Sequence, residues 1–104
     1  TVEPEAAALS FPEDSDRSFT LRPVTALGRA KDNDVIIEDP FISSNHAMII
    51  WRDGSWWVED LGSHNGTFVN DVMALKAVEL EDGDIIGIGQ TSLRFNLQAS
   101  EKAH

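Results

Sequence analysis

The chain has no cysteine, and only 8 of its 104 residues are lysine or arginine. The missing thiols exclude disulfides, cysteine-ligated zinc and thiol catalysis, and they fit a reducing compartment. The few cations face 18 Asp and Glu, for a net charge of −10. That balance argues against a basic face for nucleic acid or for an anionic membrane surface. Long hydrophobic runs are missing too. The longest is Ala47 to Trp51, far short of the ~20 residues a bilayer span requires. The acidic N-terminus lacks a charged-then-apolar signal pattern, so a cytoplasmic, intracellular setting is expected. Thr1 stands where an initiator Met would, and the chain reads as a segment of a longer protein.

What is present belongs to one soluble globular domain, with 41% hydrophobic and 25% charged residues. A chain of this length buries roughly two-thirds of its unfolded surface, enough for one ordinary core. Residues 1–7 read as a linker end and 98–104 as a tail, which leaves 8–97 as the domain. Short β-type runs fill that span. Phe19-Thr20-Leu21-Arg22 and Leu93 to Leu97 alternate inward and outward. Val35-Ile36-Ile37 and His46 to Trp51 are apolar on both faces, as in a sandwich interior. Trp56 to Glu59, Thr67 to Val69 and Ile85 to Ile88 complete the set.

Asp53-Gly54 is a hairpin signal, and Asn65-Gly66 and Asp82-Gly83 mark further turns. Pro12 to Ser18 reads as a polar hairpin loop. Val72 to Val78 is the one stretch with helical character, too short to stand alone. Many strands without crossover helices predict an all-β fold, an antiparallel sandwich. That architecture hosts many unrelated functions.

The chemistry-bearing residues cluster on the loops between these runs. They are Gly28-Arg29, Ser43-Ser44-Asn45-His46, Ser63-His64-Asn65-Gly66-Thr67 and Asn70. Arg offers a planar fork of donors suited to a phosphate, and a hydroxyl donates to an anion without adding charge. An Asn side chain both donates and accepts, which suits a peptide main chain. Blander readings stand beside each: Arg29 balancing Glu38 or Asp39, Ser43 and Asn65 as turn formers, His64 facing solvent.

A hydrolytic triad of Ser43 or Ser44 with His46 and Asp60 has no nucleophile elbow behind it. A metal set of His46, His64 and Asp60 has no ligand spacing, so no catalytic residue, metal or cofactor is expected. Trp51, Trp56 and Trp57 suggest stacking platforms. However, adjacent Trp56 and Trp57 point to opposite faces of a strand, so one fills the core.

The ordered set of Gly-Arg, Ser-x-x-His, Asn-Gly and Asn resembles the signature of the forkhead-associated (FHA) family. Asp39 before the Ser-x-x-His turn and Leu80-Glu81-Asp82-Gly83-Asp84 after it strengthen the likeness, which spans roughly Ala8 to Leu97. The resemblance implies a sandwich of about eleven strands that binds phosphothreonine peptides through loops at one end. It implies phosphate contacts from Arg29 and Ser43, with Ser44 and His64 adding polar contacts. Asn65 would bond the peptide main chain. His46, Gly28, Gly66 and Asn70 would support the site. The implied partner is a phosphothreonine-containing protein, and a Ser/Thr kinase acts indirectly. The alternative is an FHA-like scaffold that makes phosphate-independent contacts through a sheet face.

Overall fold

The computed structural model describes residues 4–98. They form β1 (Ala7–Phe11), β2 (Asp14–Thr20), β3 (Val24–Gly28), β4 (Val35–Ile36), β5 (Ala47–Arg52) and β6 (Ser55–Asp60). Then come β7 (Thr67–Val69), β8 (Val72–Met73), β9 (Val78–Glu79), β10 (Ile85–Ile88) and β11 (Thr91–Leu97). The strands make a six-stranded sheet, β2-β1-β11-β10-β7-β8, and a five-stranded sheet, β4-β3-β5-β6-β9. β3 and β4 pair in parallel, and the other pairs are antiparallel. The expected all-β sandwich is therefore observed, with eleven strands.

The core is built by alternation. Leu27, Ile49 and Val58 of one sheet and Leu9, Ile86, Ile88, Leu93 and Phe95 of the other are fully buried. Trp56 is buried as well and packs edge-on against Trp51 and Phe95, at ring separations of 5.3 and 6.4 Å. Its indole N–H donates to the Glu5 carbonyl. Trp57 turns to the outer face and is half-buried, as adjacency on a strand requires.

Several expectations need correction. Val35 to Ile37 and His46 to Trp51 are not apolar on both faces in effect: Ile36 is exposed, and Met48 and Ile50 are half-buried. Each sheet has only one face against the other, so the second apolar set stays outside. Ala7 is not linker. It is fully buried and pairs with Leu97, while Gln98 N–H donates to the Ala6 carbonyl. Residues 1–3 and 99–104 of the expected linker and tail lie outside the described residues.

The Pro12 to Ser18 loop is shorter than expected, because β2 already begins at Asp14. Residues 72–78 hold strands rather than a helical turn. Asn70 and Asp71 take φ of 52° and 70° and fold β8 back onto β7 with Val69 opposite Val72, the geometry of a two-residue hairpin. Asp53 and Gly54, at φ of 55° and 81°, make the expected turn between β5 and β6.

β3 has no clear pattern in sequence. It is fixed by Leu27, fully buried, and by Thr25, whose hydroxyl donates to the Arg22 carbonyl at 3.0 Å. The register sets the ends of the sandwich. Ala7 pairs with Leu97 at one end, while Thr91 pairs with Ile88 and Ile88 with Thr67 at the other. The loops after β3, β4 and β6 gather at that second end, away from where the described chain enters and leaves.

Candidate functional site

Arg29 follows the last residue of β3 and is exposed. Its backbone N–H donates to the Ser43 carbonyl at 3.1 Å, and its side-chain Nε–H donates to the Ile42 carbonyl at 3.1 Å. The Nε bond orients the guanidinium and leaves both terminal nitrogens to meet a ligand. Among the described residues Arg29 forms no ion pair. The carboxylates of Asp39 and Asp60 are engaged by other donors. Asp39 is buried and accepts from Phe41 N–H, Gln90 N–H and the Thr91 hydroxyl. Asp60 accepts from Gly62 N–H, Ser63 N–H and the hydroxyls of Ser63 and Thr67. Burial alone would raise both carboxyls, but these donors outweigh it and hold both below the ordinary value of 3.8. They stay charged, tie loops together and leave Arg29 unpaired.

Ser43 stands beside Arg29. Its hydroxyl oxygen accepts the His64 backbone N–H at 2.9 Å, so its own proton remains free to donate. Ser44 is exposed, and its carbonyl accepts Ala30 N–H and the Asn33 side-chain amide. Gly28 allows this close approach. A Cβ there would run into the Ser44 carbonyl oxygen and come within 2.7 Å of Asn33 Nδ2.

His46 is fully buried and accounts for how two loops hold together. Its Nδ1 accepts Ser43 N–H at 3.0 Å, which places the proton on Nε2, and Nε2 then donates to the Gly66 carbonyl at 2.8 Å. The imidazole bridges the loop after β4 to the loop after β6. Asn65 Nδ2 donates to the Phe41 carbonyl at 2.9 Å and adds a second bridge between the same loops. Its Oδ1 faces no protein donor among the described residues. Gly66 takes φ of +90°, a conformation that suits glycine. The His64 imidazole lies on an exposed stretch beside a cleft.

Arg29, Ser43, Ser44, His64 and Asn65 thus lie on three loops that are directly bonded to one another, with Gly28, His46 and Gly66 beneath. Asn70 does not join them. It sits at the far end of β7, where its side chain donates to Asp84 and accepts Ile85 N–H. Sequence reasoning missed Asn33, which braces Ser44 from eleven residues away, since nothing local signals that reach. It weighed Asp60 only as part of a triad or of a metal set. The Asp60-to-Ser63 spacing is an Asx-turn signal that does identify it as a loop brace.

With this geometry in view, comparison with known proteins gives one answer. Residues 25–89 match the FHA domain model, and the chain belongs to the FHA domain family. It is 37% identical over 69 residues to the FHA domain-containing protein FhaB of Mycobacterium tuberculosis, covering 66% of this chain and 44% of FhaB. It is 37% identical over 84 residues to the glycogen accumulation regulator GarA of Mycolicibacterium smegmatis, covering 81% and 52%. The chain spans about half the length of these curated relatives.

Among solved structures, EmbR of Mycobacterium tuberculosis in complex with a low-affinity phosphopeptide superposes with a TM-score of 0.86 at 31% identity, over 91% of this chain and 25% of that one. An FHA structure describing phosphothreonine-dependent interactions gives 0.82 at 29% identity, over 89% and 97%.

Proposed function

We propose that this domain is a non-catalytic module that binds phosphothreonine in a peptide or protein and so couples Ser/Thr kinase activity to protein association. The observation that carries the reading is the pairing of an oriented, unpaired guanidinium at Arg29 with a Ser43 hydroxyl whose proton is free. A phosphate monoester carries about −1.5 to −2 charges at pH 7 and three strong acceptor oxygens. Arg29 supplies the charge, and Ser43 and Ser44 supply neutral donors. His64 adds a polar contact at the rim, and the free Asn65 Oδ1 takes a main-chain N–H of the peptide. Two FHA relatives, one solved with a phosphopeptide and one described by its phosphothreonine-dependent interactions, support the same reading.

Hydrolysis by Ser43 and His46 is disfavoured on chemical grounds. Both imidazole nitrogens are engaged by backbone groups, and neither faces the Ser43 hydroxyl. His46 is therefore not placed as the base such a nucleophile needs. Among the described residues no helix is long and apolar enough to cross a membrane. The proposed kinase-dependent ligand supports an intracellular setting.

Titration with phosphothreonine, phosphoserine and unmodified versions of one peptide tests the reading. Saturable binding of the phosphothreonine form, weaker binding of phosphoserine and none of the unmodified form are expected. One methyl discriminates by roughly 1–3 kcal/mol. Equal binding of the unmodified peptide would favour the phosphate-independent scaffold instead.

A further inference from the structure

Asn65 precedes Gly66, and no other asparagine of the chain is followed by glycine. Asparagine is a chemically labile side chain. Glycine has no Cβ, so nothing shields its backbone nitrogen from the asparagine before it. That nitrogen can give up its proton and attack Asn65 Cγ. A bond forms between Gly66 N and Cγ, the bond from Cγ to Nδ2 breaks, and Nδ2 leaves as ammonia. Water then opens the succinimide ring at either carbonyl and leaves aspartate or isoaspartate at position 65. The exchange takes in water, releases ammonia and needs no oxidant or enzyme.

The fold holds both reacting groups. Gly66 N–H, the nucleophile, donates to the Ser63 hydroxyl at 2.8 Å. Asn65 Nδ2, the leaving group, donates to the Phe41 carbonyl at 2.9 Å. Ser63 is fixed in turn by Asp60, which accepts both its backbone N–H and its hydroxyl. These locks sit at the surface, since Asn65 and its bond to Phe41 are exposed. Exposed loop bonds open locally without unfolding the core.

The product is unsuited to the site. A carboxylate at position 65 has no donor for the Phe41 carbonyl, so that bridge is lost. It also puts a negative charge on the loops that carry Arg29 and Ser43, against a phosphate of about −1.5 to −2 charges. Isoaspartate further lengthens the main chain just before Gly66, whose carbonyl accepts from His46.

We propose that Asn65-Gly66 is a latent deamidation site, protected while Ser63 and Phe41 hold it and converted when the loop opens, and that conversion switches off phosphopeptide binding. The second half of the inference rests on the phosphothreonine reading above, and the first half does not. A bound peptide that engages Asn65 Oδ1 keeps the loop closed and so preserves the amide.

The test incubates the parent domain, Ser63→Ala and a synthetic peptide running from Leu61 to Val69 at mildly alkaline pH. Mass mapping reads conversion at each asparagine. Anion exchange then isolates the converted domain for fluorescence anisotropy with a phosphothreonine peptide. Conversion is expected at Asn65 ahead of Asn33, Asn45, Asn70 and Asn96, and more slowly in the folded domain than in the synthetic peptide. Ser63→Ala speeds it, and saturating phosphothreonine peptide slows it. The converted domain binds roughly tenfold or more weakly than the parent, as like charges brought together in an interface dictate. Conversion at another asparagine first, none at Asn65 in Ser63→Ala, or one common Asn65 rate in the parent, the variant and the synthetic peptide overturns the site. A converted domain that binds as tightly as the parent overturns the switch alone. A parent that binds phosphorylated and unmodified peptides alike overturns the phosphothreonine reading and the switch, while mass mapping of the ligand-free domain still decides the site.

Discussion

His46 accepts the backbone N–H of Ser43 through Nδ1 and makes no hydrogen bond to the Ser43 hydroxyl. The histidine therefore sets where the serine stands and leaves its chemistry alone. His46→Ala strips the Ser43 N–H and the Gly66 carbonyl of their buried partner, at about 1–3 kcal/mol for each group. Urea denaturation is expected to show a loss of roughly 2–5 kcal/mol, and peptide affinity falls with it because the loops separate.

Arg29 behaves oppositely. Its side chain is exposed, and its bond to the Ile42 carbonyl is a small part of the fold. Arg29→Ala is expected to change stability by less than about 1 kcal/mol while weakening phosphothreonine-peptide binding by about a hundredfold, the scale of charge-assisted hydrogen bonds. Arg29→Lys keeps the charge but loses the fork and the Nε anchor, so calorimetry should place it between the two.

Two glycines separate crowding from backbone strain. Gly28→Ala drives a methyl into the Ser44 carbonyl and Asn33, for an expected loss of about 1–3 kcal/mol and weaker peptide binding. Gly54→Ala meets open space but keeps φ near +81°, so thermal melts should show about 1 kcal/mol lost, with peptide affinity intact.

Asp39 gives the domain a pH dependence. Burial would raise its carboxyl, but Phe41 N–H, the Thr91 hydroxyl and Gln90 N–H outweigh burial and hold it below 3.8. A folded value below the unfolded one adds stability that is fully present above the unfolded value. That stability is lost as pH falls through the folded one. Asp60 acts with the same sign. Asp39→Asn is expected to be less stable than the parent at pH 7 by about 1–3 kcal/mol. The gap should narrow below about pH 4, read by circular dichroism melts across pH.

Most of the fold was legible because strand alternation and turn chemistry are local. Asp53-Gly54 declared its hairpin, and Trp56-Trp57 declared one buried ring and one outer ring. The Asn70-Asp71 hairpin was not legible, since neither residue is glycine and both still take positive φ. β1 and β3 escaped because Ala7, Ala8 and Thr25 carry little hydrophobic signal and gain their places only by pairing. In the site, Arg29, Ser43 and Asn65 were readable from motif order. Asn33 was not, because no local pattern says that its side chain reaches the Ser44 carbonyl.

The amino-acid order by itself determined the residue types at the loops, the absence of cysteine chemistry and the β character of the runs between turns. Each depends on side-chain chemistry or on spacing within a few residues. Only the tertiary structure decided that Asp39 and Asp60 spend their charge on neutral donors, that His46 has no free nitrogen, and that Arg29 and Ser43 share one rim. Beyond local bonds such as Phe41 to Asp39 and Ser43 to His46, those outcomes depend on hydrogen bonds between residues 7 to 52 apart. Such bonds form only once the two sheets have packed and brought their loops to the same end.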